Sequence, residues 1–246
     1  MNTPEVMRAL GIGRGSRVAV SGCGGKTSLI NAFARAAAVN MSVLITPTTK
    51  ILPERTEGIS LAATREECLA HLPVKGIQYL GLLNGGTGKL EALAPDDLAA
   101  IVTRYDLALM EADGSRGLPC KGWTERDPVI PGFATHTLGV VSINAVGLRA
   151  SEENIFRLDE FLKLTGMRIG EPVTVRALAT MTASLNGMFR RKSGATALMI
   201  NQAESPRSMN LAAELAELAK KIRGVSASEP RKIFAGSAIA GEWIEL

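Results

Sequence analysis

The sequence predicts an α/β protein: a P-loop-like, doubly wound, mainly parallel sheet. Three observations carry that prediction. Short, almost wholly apolar runs alternate with longer stretches of helical spacing. The first run opens directly into a glycine-rich loop, "RVAVSGCGGKTS". Polar and charged residues gather just after several runs, where ligands sit in sheets of this kind. The 246 residues read as one domain with a mainly helical insertion at about 150–190.

The elements follow in order. "RVAVS" is apolar and ends on glycine, hence a strand. "KTSLINAFARAAAV" places Leu29, Ile30, Phe33, Ala34 and Ala37 on one helical face. "MSVLIT" is a second buried strand, closed by Pro47. In "TREECLAHL", Thr64 and Glu67 form a capping box for a short helix. "IQYLGLL" is a strand, and "NGGTGK" after it has the chemistry of a hairpin turn. "PDDLAAIVTRY" is a helix opening at Pro95, and "DLALMEADG" a strand running into a loop. "HTLGVVSINAVG" is a further strand. The spacing in "SEENIFRLDEFLKLTG" predicts an amphipathic helix from the cap Ser151 to the stop Gly166. "TVRALATMTAS" is a helix, "ATALMINQAE" a strand and loop, "SMNLAAELAELAKKIRG" a helix ending at Gly224, and "RKIFAGSA" a last strand and loop.

Composition narrows the class. Hydrophobic residues make up 46% and charged ones 21%, as in a globular protein. Aromatics are only 4%, so Ala, Leu, Val and Ile must fill the core. The net charge of +4 is spread among acids and suits an anionic small ligand. No basic–aromatic interleaving points to nucleic acid, and the run Arg190-Arg191-Lys192 reads as a solvated loop. The three cysteines are far apart and lack metal spacing, and His71 and His136 are isolated. Reduced thiols and a cytoplasmic protein are expected. The N-terminus has no long apolar region of a signal peptide, and no run approaches the ~18 apolar residues of a membrane span.

The glycine loop is the first candidate site. In the full pattern G-x-x-x-x-G-K-[ST], the first glycine falls on Val20, so the strict pattern fails. What stands here is the shorter G-x-x-G-K-T of Gly22, Cys23, Gly24, Gly25, Lys26 and Thr27, followed by Ser28. Loop N–H groups and a helix N-terminus can still hold phosphates. Lys26 can reach terminal phosphates, and Thr27 can place its hydroxyl on Mg²⁺. The short loop resembles the ATP loop of the Mur-type amide ligases. Cys23 reads as a small residue at a spacer position.

A second cluster follows the run Leu107–Met110. Glu111 and Asp113 stand two apart, able to share a face and to hold Mg²⁺ or orient a nucleophile. Arg116 and Lys121 bring cations for anionic groups or transition-state charge. "TPTTKI" lies beside the loop in a doubly wound sheet. Late in the chain, Asn201-Gln202-Ala203-Glu204 stands where GTP-binding proteins often carry N-K-x-D, and "FAGSA" follows. Asn201 is a candidate nucleotide contact. Gln202 and Glu204 depart from that pattern and leave ATP or GTP open.

Taken together, "VSGCGGKTS", "LITPTTKI", "EADGSRGLPCKGW" with "DPVIPGFATHTLGVV", and "INQAE" resemble the YqeC family along nearly the whole chain. That resemblance implies an accessory protein for selenium-dependent molybdenum hydroxylases. It carries the family's loop onto Gly22, Gly24, Gly25, Lys26, Thr27 and Ser28, and its acidic motif onto Glu111, Asp113 and Arg116 with Lys121. Glu204 departs from the family's usual Asp. The expected function is Mg²⁺-dependent binding or hydrolysis of ATP or GTP in maturing such an enzyme. Two alternatives stay open: a small-molecule kinase or Mur-like ligase, and a non-catalytic protein that binds or delivers a nucleotide or the molybdopterin cofactor.

Overall fold

The computed structural model describes residues 1–54, 59–226 and 230–246. The chain opens with α1 (Thr3–Leu10), β1 (Ser16–Gly22), α2 (Lys26–Ala38) and β2 (Ser42–Pro47). Next come β3 (Lys50–Ile51), β4 (Ile59–Ala62), α3 (Arg65–Ala70), β5 (Gly76–Leu80), β6 (Leu82–Leu83) and β7 (Leu90–Glu91). α4 (Pro95–Val102) leads to β8 (Leu107–Glu111), β9 (Cys120–Lys121) and β10 (His136–Ser142). β11 (Ile155–Phe156), α5 (Leu158–Thr165) and α6 (Val175–Ala183) precede β12 (Ala195–Asn201), α7 (Pro206–Ser226), β13 (Lys232–Ser237) and β14 (Glu242–Glu245).

The fold is mixed α/β around a large, mainly parallel sheet. Its strand order, among the described residues, is β14-β13-β12-β10-β1-β8-β2-β5-β4, and only β14 runs antiparallel. β1 lies between β8 and β10. The chain leaves β1 toward β2 on one side and leaves β10 toward β12 on the other. A crevice therefore opens at the C-terminal ends of β1 and β10. Strand alternation sends Val18 and Val20 toward α1 and α2, into a core with Val6, Leu29 and Phe33. Ala19, Leu44 and Ala108 face the other way, onto Leu98 and Ile101 of α4. On that second face, Leu198 and Ile200 pack against Leu178 of α6 and Leu215 of α7. With both faces covered, the central strands are apolar throughout, which is why they read as continuous runs.

Several boundaries differ from the sequence reading. The stretch 151–166 is helical only from Leu158 onward. Residues 151–157 instead turn and form β11, which pairs with β9, and Arg157 enters α5 at φ 57°. Pairing with a distant segment there overrides local helical periodicity. Gly166 does end α5, at φ 73°. The helix after Thr64 keeps its capping box but stops at Ala70, the one from Pro95 stops at Val102, and α7 continues past Gly224. "IQYLGLL" breaks at Gly81, where a Cβ would stand 2.9 Å from the Glu91 carbonyl oxygen. β6 then pairs antiparallel with β7, so "NGGTGK" is the hairpin its composition predicts. The strand from His136 gives way at Ile143 to one turn of 3₁₀ helix. α1, β4 and β14 lie in stretches assigned no element from sequence. No helix among the described residues is long and apolar enough to cross a membrane.

Candidate functional site

The glycine loop joins β1 to α2 at the crevice. Gly22, Gly24 and Gly25 take φ of 108°, 76° and 121°, which L side chains rarely adopt. A Cβ on Gly22 would meet the Val140 carbonyl oxygen at 2.1 Å. One on Gly24 would meet Ser142 Cβ at 2.3 Å, and one on Gly25 would meet Asn201 Nδ2 at 2.1 Å. All three positions therefore demand glycine on two counts. Val20, where the longer pattern has its first glycine, is mid-strand, paired with Leu138 and Glu111. The loop is short because β1 runs two residues further.

Lys26 opens α2 and is buried. Its ammonium donates to the Gly22 carbonyl at 2.7 Å and lies 3.4 Å from Asp113 and 3.9 Å from Glu111. Burial opposes its charge, but Asp113 and Glu111 outweigh that and hold its pKa above the ordinary value. The Thr27 hydroxyl donates to Glu111 Oε2 at 3.1 Å. Burial pushes the Glu111 carboxyl up, against the pull of Lys26 and Thr27. No side-chain cap serves the first turn of α2, whose N–H groups face the loop.

Asp113 is differently placed. It is fully buried and accepts from the Gly22 N–H at 3.0 Å, Lys121 Nζ at 3.0 Å and Trp123 Nε1 at 2.8 Å. Both its oxygens are committed to the protein, whereas Glu111 keeps capacity beyond its Thr27 bond. Lys121, also buried, donates to the Gly114 carbonyl at 2.8 Å and to Asp127 at 3.0 Å. Asp127 in turn accepts from Arg157. Burial opposes the Asp127 charge, but Lys121 and Arg157 hold its carboxyl below the usual range.

The structure thus brings Gly22, Gly24, Gly25, Lys26, Thr27, Glu111, Asp113 and Lys121 together. Asn201 joins them from β12: its Nδ2 donates to the Gly24 carbonyl at 2.9 Å, and its Oδ1 accepts from the Ala238 N–H at 2.8 Å. It fastens the loop to the "FAGSA" segment. Glu204 accepts from Ser237 at 2.6 Å, and Gln202 accepts from Ser142. Ser28 and Thr27 line a surface hollow with Asn31 and Arg35. Arg116 lies apart, exposed at φ 53°, its guanidinium 4.9 Å from the Phe156 ring centre. Cys23 turns from the loop into the core, in the same buried cluster as Cys120. The neighbouring Cys23 thiol and burial push the Cys120 thiol up. All three cysteines are free. Sequence spacing gave no sign of Trp123 and Asp127 as partners of the acidic cluster, because the irregular 113–127 loop folds back on itself, nor of Arg157, which arrives from the start of α5.

A family model described as YqeC protein matches residues 18–159, which include the glycine loop, the acidic cluster and β11. The chain belongs to the YqeC family. A protein of Escherichia coli (strain K12) named "Uncharacterized protein YqeC" is 29% identical over 180 residues, 70% of each chain. Family membership brings the acidic cluster and the loop within one matched unit, as the geometry does.

Proposed function

We propose that this YqeC protein has a P-loop-like fold and binds ATP or GTP with Mg²⁺ at the 22–28 loop. We read it as an accessory factor in maturing selenium-dependent molybdenum hydroxylases. The observation that carries the nucleotide reading is the three-glycine loop closed around a buried lysine, with the Thr27–Glu111 pair beside it. The N–H groups of the first turn of α2, together with Lys26, suit phosphates. Thr27 and Glu111 suit the metal, and Asp113 holds the loop and both lysines in place. The donor set fits such a group in a further respect. The Thr49 hydroxyl, two residues past the strand end that pairs with Glu111, is buried without a partner among the described residues.

Bound there, Mg²⁺ would neutralise phosphate charge; the chain's own part is to position and to stabilise charge. Lys26 would exchange the Gly22 carbonyl and its carboxylates for phosphate oxygens. The accessory role rests on family membership alone. The test is calorimetry with ATP and with GTP, with and without Mg²⁺, beside Lys26→Ala, followed by phosphate release. Mg²⁺-dependent binding lost in the variant is expected. Failure of the wild type to bind either nucleotide would overturn the reading, and binding without turnover would make the protein a nucleotide-set carrier.

A further inference from the structure

A cleft of about 1030 Å³ lies between the segment after β9 and the inserted helices α5 and α6. Arg126, Arg157, Lys163 and Arg190 line it, against two carboxylates, Glu125 and Glu160. Two of the guanidiniums are held from behind by one residue. Arg157 donates to the Thr124 hydroxyl at 3.3 Å, and Arg190 to the Thr124 carbonyl at 2.8 Å. Arg126 is exposed, with no side-chain partner among the described residues. Among the described residues Lys163 meets only Glu160, at 3.4 Å on the surface. Trp123, Leu164 and Leu185 supply apolar wall. Positive charge with two fixed guanidiniums suits an oxyanion, and the wall suits an apolar or planar body.

The cleft is wired to the glycine loop. Trp123, on its wall, donates to Asp113, which accepts from Gly22 and faces Lys26. Arg157 reaches the same carboxylate through Asp127 and Lys121. The cleft is therefore one side chain away from the loop.

We propose that this cleft binds a small molecule with a phosphate or carboxylate head on an apolar or planar body. Its role as the second substrate rests on the nucleotide reading; its oxyanion binding does not. The test titrates inorganic pyrophosphate and, separately, citrate into four proteins by calorimetry: wild type, Lys26→Ala, the double variant Arg126→Glu/Lys163→Glu, and Lys26→Ala carrying the same two reversals. The two exposed cleft residues can be reversed without touching the buried network. Pyrophosphate, citrate or both should bind Lys26→Ala, and adding Arg126→Glu/Lys163→Glu to Lys26→Ala should weaken that binding at least about tenfold. Which probe binds tells phosphate from carboxylate. ATP or GTP affinity of the double variant should stay within about twofold of wild type, as both side chains are exposed and neither bonds the buried network that runs to the loop. Absence of binding of both probes to Lys26→Ala, or equal binding by Lys26→Ala with and without the two cleft reversals, would overturn the proposal. Melting curves check that each variant is folded, and Lys26→Met replaces Lys26→Ala should the latter unfold. A wild type that binds pyrophosphate in the cleft but no nucleotide would retain this inference and remove the proposed function.

Discussion

The glycine loop and the arginine-lined cleft meet at Asp113, and they are assembled in opposite ways. The loop takes its backbone from residues 22–28, one uninterrupted stretch between β1 and α2. The cleft takes its walls from residues 123–126, 157–164 and 184–190, brought together by β9–β11 pairing and by the packing of α5 on α6. The loop is stiff because glycines with forced φ press on Val140, Ser142 and Asn201. The cleft is held by hydrogen bonds through Thr124 and Asp127. Shape demanded of the backbone leaves a local motif, while shape built from side-chain networks leaves scattered residues of ordinary type.

The comparison can be broken first at the shared carboxylate. Asp113→Ala should leave Lys121 buried with one fewer counter-charge and free the Gly22 N–H. A loss of about 3–5 kcal/mol in urea-denaturation stability is expected, the scale for removing one partner of a buried pair. A loss below about 1 kcal/mol would show that Asp113 does not tie the two regions. Next, Lys26→Ala should lower nucleotide turnover by about 10²–10³-fold, the scale of a lost charge-stabilising donor. Normal turnover in that variant would remove the loop from the mechanism. Gly24→Ala should cost about 1–3 kcal/mol from backbone strain alone, and its clash with Ser142 adds to that. Gly85→Ala in the β6–β7 hairpin, where a Cβ meets nothing within 4 Å, should change the melting temperature far less.

A finer contrast lies in pH. The raised Glu111 pKa means the folded state resists its ionisation, so this carboxyl costs stability as pH rises from its ordinary 4.5 through the folded value. Asp127, lowered below 3.8, contributes stability above that pH and loses it as pH falls through its folded value. Stability measured from pH 3 to 7 should therefore shift in favour of Glu111→Gln over wild type with rising pH. Asp127→Asn should shift the other way, its deficit growing as pH rises. Parallel curves for the two variants would mean that the two regions share one electrostatic environment. The smallest effect concerns thiols. Cys23, Cys68 and Cys120 are buried, so a thiol reagent should modify all three only after unfolding. Fast labelling of Cys23 in the native protein would place it in the loop's open face.

Much of the molecule follows from sequence alone. The alternation of apolar runs with helical periods gave the mixed α/β class and the central strands, because strands covered on both faces must be apolar at every position. The capping box at Thr64, the stop at Gly166 and the hairpin before Lys89 are local chemistry and stand where composition puts them. So do Gly22, Gly24, Gly25 and Lys26, since only glycine tolerates that backbone beside that strand. Tertiary structure decided the rest. It delayed the start of the 151–166 helix to Leu158 by pairing Ile155 with Cys120. It committed Asp113 to the protein and left Glu111 open, a difference invisible in "MEAD". It put Cys23 and Cys120 in one buried cluster, turned Arg116 onto Phe156 and gathered a cleft from three segments. The physical reason is one of range: backbone conformation is set within a few residues, whereas burial, hydrogen-bond saturation and charge partners depend on chain segments as far apart as Gly24 and Asn201.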